Sequence, residues 1–302
     1  MRPVHGKAVL AVDAGGTYYK SALVDSCGGI IPGTFRECPS HSDAGRETVL
    51  RAFTGMIQDM TAIAAEEGRG ISRIALAFPG PFDYRRGASM MDHKFVSIYD
   101  VPLKPLAAEA AGDPDMPVVF HYDLHASVYG AWLYDEGQSF NSVICVSLGT
   151  GLGGGYLRNG QIVMEADGGP KYLIYKQPYR GGILEDAASN RGLAEEYRRR
   201  TGCSDVLDAK ELERRALLEG DRAALELYRD MGETLGRELR PLFEELGIDC
   251  LLLAGQISKG YRLFGPALEE ALTGLPSLKK IGPLKDFAFT AIRGAAALPA
   301  LV

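Results

Sequence analysis

The chain has 302 residues, of which 46% are hydrophobic and 24% charged, and its formal net charge is -6. That length can bury a sizeable core and admits one or two domains, while the acidic balance lacks the basic footprint that a nucleic acid or an anionic membrane surface needs. No stretch approaches the roughly 18 apolar residues of a membrane span, the opening "MRPVHGKAVLAVDAGG" has no signal-peptide pattern, and Cys27, Cys38, Cys145, Cys203 and Cys250 show no metal spacing, so a reducing cytoplasm is the expected compartment.

Taken in chain order, "AVLAVDA" (8–14) and "YKSALVD" (19–25) read as strands around a glycine turn. Residues 45–67 carry apolar positions at three and four spacing, which predicts a helix. Strands are expected at 73–78 and 117–122, then a helix over 124–136 with Leu124, Val128 and Trp132 on one face. Strands follow at 142–148 and 154–158. Over 222–246 Tyr228, Met231, Leu235, Leu239, Leu242 and Leu246 step along one helical face, and Pro241 is expected to kink or interrupt it. A strand at 250–255 and a small-residue helix over 287–302 complete the chain. Strands alternating with helices define an α/β protein.

"VLAVDAGGTYYKSALVD" (9–25) and "VICVSLGTGLGGGYLRNGQIV" (143–163) share one plan of strand, Gly/Thr turn and second strand. Two copies about 130 residues apart predict a duplicated fold with its break near residue 120. Glycines let backbone N–H groups approach an anion with no Cβ in the way, so "DAGGT" (13–17) and "GTGLGGG" (149–155) fit phosphate cradles. Either turn alone fits a plain hairpin equally well; their pairing is the more specific signal. Neither matches GxxxxGK[ST], nor opens a long helix in a GxGxxG context. Asp13 would hold an accompanying Mg²⁺ through water. Asp123, in "VVFHYDLHAS", reads locally as a helix N-cap, and between two phosphate turns as a carboxylate able to accept a hydroxyl proton. The flanking His121 and His125 could tune it.

"VDAGGTYYKSALVD", "ALAFPGPFD", the aspartate of "HYDLHAS", "SLGTGLGGG" and "AGQIS" together resemble the ROK-family sugar kinases and bacterial glucokinases of the actin/Hsp70/hexokinase superfamily. The resemblance runs from about residue 8 to residue 265. It implies two actin-like (ribonuclease H-like) α/β domains, 1–120 and 121–302, with a cleft between them; the destination of the C-terminal helix stays open, a return to the first domain being one option. It also implies ATP-Mg and a sugar as ligands and an ATP-dependent transfer to a hexose hydroxyl, with Asp123 as general base. By resemblance Asp13, Gly15, Gly16 and Thr17 form the first phosphate segment, Gly149, Thr150 and Gly151 the second, and Gly255 an adenosine-side segment. Gly80, Asp92, His93, Tyr122, Asp123, Glu165 and Glu185 fall at sugar-facing positions. A homodimer stays open, as does a non-catalytic sugar-binding regulator that kept the fold. Two departures stand out. Residues 164–184 contain neither Cys nor His, so the family's zinc site is not expected, and Tyr122 replaces the usual asparagine before the base.

Overall fold

The computed structural model describes residues 5–286 and 289–301. The chain divides into two compact units, one formed by Met1–Glu136, Ile162–Lys171 and Ala288–Val302, the other by Gly137–Gln161 and Tyr172–Phe287.

In the first unit, β1 (His5–Ala14), β2 (Tyr18–Val24), β3 (Arg36–Pro39), α1 (Arg46–Glu66), β4 (Arg69–Phe78), a ribbon of β5 (Phe82–Asp83) and β6 (Ala88–Ser89), α2 (Leu103–Ala110), β7 (Val118–Tyr122) and α3 (Asp123–Tyr134) follow in order. Its sheet runs β3-β2-β1-β4-β7. β1 pairs antiparallel with β2, and parallel with β4, which in turn pairs parallel with β7. β1 is buried on both faces, because its alternate side chains enter two different cores. Leu10 and Val12, with Ile74, Leu76 and Phe78, pack against Val49, Phe53, Met56 and Ile57 of α1. The opposite face is lined by small residues, Ala11 and Ala22 in one patch and Ala75 and Ala77 in another.

The second unit contains β8 (Ser142–Leu148), β9 (Leu152–Arg158), the start of β10 (Gln161–Ile162), the ribbon of β11 (Pro178–Tyr179) and β12 (Gly182–Ile183), α4 (Asn190–Thr201), α5 (Ala209–Arg214), α6 (Arg222–Leu246), β13 (Cys250–Ala254), α7 (Tyr261–Leu272) and β14 (Lys280–Pro283). The sheet order is β10-β9-β8-β13-β14, and β8 pairs antiparallel with β9 and parallel with β13, which pairs parallel with β14. This repeats the first sheet's plan of a hairpin followed by two parallel strands. Cys145 and Cys250 are buried in these central strands, and no disulfide joins any of the five cysteines.

One expectation needs correction, and another is narrowed. The break falls after Glu136, not near residue 120, because Ala126 of α3 packs with Ala75 and Ala77 on the first sheet. α6 is not interrupted by Pro241. Proline removes a single helical hydrogen bond, and the buried stripe of Met231, Leu235, Leu239, Phe243 and Leu246 continues on both sides of it.

The C-terminal helix α8 (Thr290–Ala297) lies in the first unit; positions 287, 288 and 302 of the expected tail helix fall outside the described residues. Ile292 and Ala296 cover Ala11 and Ala22, and Ala295 covers Ala75 and Ala77. Gly130 of α3 and Gly294 of α8 meet at the helix crossing, and a Cβ on Gly294 would overlap the Ala126 carbonyl group. Gly294→Ala should therefore destabilise the protein by about 2 kcal/mol, the middle of the overpacking range. Scanning calorimetry should show its melting temperature several degrees below that of Gly55→Ala, a helical glycine with open space around it.

No helix among the described residues is long and apolar enough to cross a membrane.

Candidate active site

The first glycine turn leaves the end of β1. Gly15 N–H donates to the Tyr18 carbonyl at 2.8 Å and closes the turn. Ser40 takes up the carbonyls of the next two residues, its hydroxyl donating to Gly16 O at 2.7 Å and its N–H to Thr17 O at 2.9 Å. The Gly16 and Thr17 N–H groups make no hydrogen bond among the described residues. Donors without acceptors at a strand end suit an anion. Asp13, two residues earlier, is half-buried. Burial raises its carboxyl pKa, and the charge of Lys20, its cross-strand partner, opposes the rise.

In the second unit the turn after β8 follows the same logic. Gly149 N–H donates to Gly151 O at 3.0 Å, and Gly149 O accepts from Asn190 N–H at 2.8 Å. The N–H groups of Thr150 and Gly151 have no acceptor among the described residues. Glu185 holds this turn: its Oε2 accepts from Leu152 N–H at 2.9 Å, and a Cβ on Gly151 would lie 2.6 Å from that oxygen. Gly255, at φ +86, runs against the Leu148 carbonyl at the end of β8, so the three segments 149–152, 185 and 255 form one cluster.

Asp123 is the first residue of α3, not its cap; the cap residue is Tyr122, which makes no capping hydrogen bond. The Asp123 Oδ1 accepts from Leu124 N–H at 2.9 Å. Burial, then the Asp13 carboxylate, push the Asp123 pKa up to about 7, and the Lys94 ammonium opposes that rise. The helix N-terminus favours the ionised form. The two histidines carry no charge near neutrality, since burial takes His121 down to about 4 and His125 to about 3. His125 instead packs edge-on against Tyr122 at 5.1 Å, and Tyr84 meets the same ring at 6.2 Å. Gly80 lies under these rings: a Cβ there would approach the Tyr84 hydroxyl at 3.2 Å and the Tyr122 ring at 3.9 Å. Tyr84 is fully buried and donates its hydroxyl to Phe78 O at 3.1 Å.

The first unit thus gathers Asp13, Gly15, Gly16, Thr17, Gly80, Tyr122 and Asp123, and the second gathers Gly149, Thr150, Gly151, Glu185 and Gly255. Three predicted residues are exposed. Asp92 and His93 pair with each other at 3.3 Å on the surface, their side chains 94% and 55% exposed. Glu165 pairs with Lys171 at 2.7 Å, both about half exposed. It begins a turn whose Asp167 carbonyl accepts from Tyr84 N–H at 3.1 Å. Lys94 and Tyr84 were not singled out by sequence, because only the partners they meet in three dimensions distinguish them. Among the described residues no group of three or more His, Cys, Asp and Glu side chains could hold a metal ion.

Two sheets of one topology, each ending a hairpin in a turn whose N–H donors are unpaired among the described residues, define a duplicated α/β fold. Within that class the chain belongs to the ROK family, whose model matches residues 9–298. It is 26% identical over 286 residues, 87% of each chain, to a glucokinase of Thermotoga maritima. It is 24% identical over 263 residues, 83% of this chain and 84% of the relative, to an N-acetylmannosamine kinase of Escherichia coli O157:H7. The fold matches that of a ROK family glucokinase from Streptomyces griseus in complex with glucose and AMPPNP, with a TM-score of 0.76, 20% identity and coverage of 96% of this chain and 98% of that one.

Proposed function

We propose that this protein is an ATP-dependent sugar kinase that transfers the γ-phosphoryl group to a hydroxyl of a hexose or hexose derivative, with Asp123 as general base. The observation that carries the reading is the half-buried Asp123 carboxylate, pushed to about 7 by burial and by Asp13, at the head of a helix in the unit that bears the first phosphate turn. A base of that pKa is half ionised at neutrality and matched to proton transfer there. The names of the relatives, a glucokinase and an N-acetylmannosamine kinase, support the reaction class and bracket the acceptor.

Phosphoryl transfer asks the protein for position and electrostatic stabilisation more than for covalent chemistry. The acceptor hydroxyl donates its proton to Asp123 while its oxygen attacks the γ-phosphorus and ADP leaves. In the first unit the free N–H groups of Gly16 and Thr17 suit phosphate oxygens; in the second, those of Thr150 and Gly151 do the same, with Gly255 beside them. Mg²⁺, when bound with ATP, neutralises phosphate charge. Asp13 is the carboxylate that would hold it through water, and one carboxylate plus phosphates suffices for this ion. Tyr122 and Gly80 line the acceptor side. In the second unit Glu185 spends Oε2 on the glycine turn. Tyr122, braced by Tyr84 and His125, narrows the choice of acceptor.

The test is a coupled ADP-release assay with ATP-Mg across hexoses, N-acetylhexosamines and polyols, with a polyphosphate donor arm. Saturable, acceptor-dependent ADP release is expected. Sugar binding with no ADP release over the whole panel would favour the regulator instead.

A further inference from the structure

The loop between β6 and the buried aromatic core carries a charge so far unassigned. Met91 and Phe95 are both completely buried, and they anchor the two ends of the tripeptide Asp92-His93-Lys94. Asp92 and His93 turn to solvent, whereas Lys94 is half-buried. Its Cδ lies 3.4 Å from the point where a Gly16 Cβ would stand. The lysine stem therefore lies on the first glycine turn, and the lack of a side chain at Gly16 leaves room for it.

The backbone holds Lys94 there against local preference. Phe95, the next residue, has φ 54, a left-handed conformation that bulky residues rarely adopt. Its ring stacks on Tyr19 at 6.3 Å and leans on Phe78 at 5.2 Å, and its N–H donates to Ser42 O at 2.9 Å. A non-glycine residue kept in such a conformation by surrounding packing is characteristic of functional segments. Among the described residues Lys94 forms no ion pair within 4.0 Å, yet Asp123 responds to its charge. A cation whose stem lies on the first glycine turn and whose charge reaches Asp123 is suited to the point where phosphoryl donor and acceptor meet.

We propose that Lys94 is a further catalytic residue, its ammonium contacting the transferred phosphoryl group beside Asp123 and stabilising the charge on its oxygens. This rests on the kinase reading. In the step the acceptor O–P bond forms and the bond from the γ-phosphorus to the β,γ-bridging oxygen breaks; the hydroxyl proton passes to Asp123, and Lys94 keeps its proton throughout. A fixed cation on the transferring group acts where charge is redistributed in the transition state. It should therefore affect kcat more than KM.

Lys94→Met keeps the stem packed on Gly16 and removes only the charge, and Lys94→Arg restores it. With the best acceptor from the panel, Lys94→Met should lower kcat by about 10²–10³-fold. KM for ATP and for the acceptor should stay within about threefold, and Lys94→Arg should recover part of the rate. Melting temperatures should match the wild type; if Lys94→Met melts lower, Lys94→Gln takes its place in the same assay. A kcat within about threefold of wild type, or a loss confined to KM, overturns the assignment. A wild type inactive toward every acceptor overturns the kinase reading and this assignment with it, whereas an active wild type beside an equally active Lys94→Met overturns Lys94 alone.

Discussion

Asp123→Asn should lower kcat by about 10²–10⁴-fold, the range supplied by a positioned general base, while the fold stays intact. The amide is nearly isosteric and can still accept from Leu124 N–H as Oδ1 does now, so binding of a non-hydrolysable ATP analogue should be unchanged. Steady-state kinetics beside calorimetric binding would check this, and a mutant that turns over at the wild-type rate would remove Asp123 from the reaction. The same carboxylate sets the pH dependence. It works ionised, and its pKa lies near 7, so kcat/KM should fall about tenfold per pH unit well below 7 and level off above it.

Linkage gives the matching stability signature. Folding raises the Asp123 pKa from 3.8 to about 7, so the folded state favours the protonated form. That contribution is fully present below pH 3.8 and is lost as pH rises through about 7. Removing the carboxylate abolishes the loss, so Asp123→Asn should melt above the wild type at pH 8, and the difference should vanish toward pH 4. Catalysis needs the form that folding disfavours, which is common at functional sites.

Gly255→Ala should be the most damaging single-atom change in the second unit. Gly255 has φ 86 and ψ 163, a region essentially confined to glycine, where another residue is destabilised by about 1–3 kcal/mol. The added Cβ would also overlap the Leu148 carbonyl, which is rigid backbone and cannot rotate away as a side-chain tip would. Relief requires parting the 255–260 segment from the end of β8, which disturbs Gly149–Gly151. The expected results are a melting temperature several degrees lower and at least tenfold weaker binding of the ATP analogue. Gly282→Ala, with open space around its Cβ, is the control. Undiminished affinity in Gly255→Ala would dissociate this residue from the nucleotide site.

Much of the fold was legible in the residues. The strand 142–148 and the helix 222–246 coincide with their sequence expectations, since both depend on periodicity read within a few turns of chain. The two glycine turns were equally visible, and both leave a pair of N–H groups without an acceptor among the described residues. Asp123 was harder, because a capping aspartate and a half-buried carboxylate look alike in a ten-residue window. The presence of Asp13 and Lys94 as its electrostatic neighbours separates them, and these residues lie 110 and 29 positions away.

The sequence by itself therefore determined the α/β class, the duplicated strand–turn–strand plan, the glycine turns and the family. Each follows from local periodicity or from glycines placed where backbone must approach an anion. Only the tertiary structure decided that the small-residue tail covers the alanine face of the first sheet, that α3 belongs to the first unit, and that Lys94 rather than Asp92 or His93 turns inward. Those outcomes depend on matching surfaces far apart in the chain: Gly130 against Gly294, and Phe95 in a core built from Tyr19 and Phe78. The free energy that selects them comes from packing between segments, and no window of sequence contains both partners.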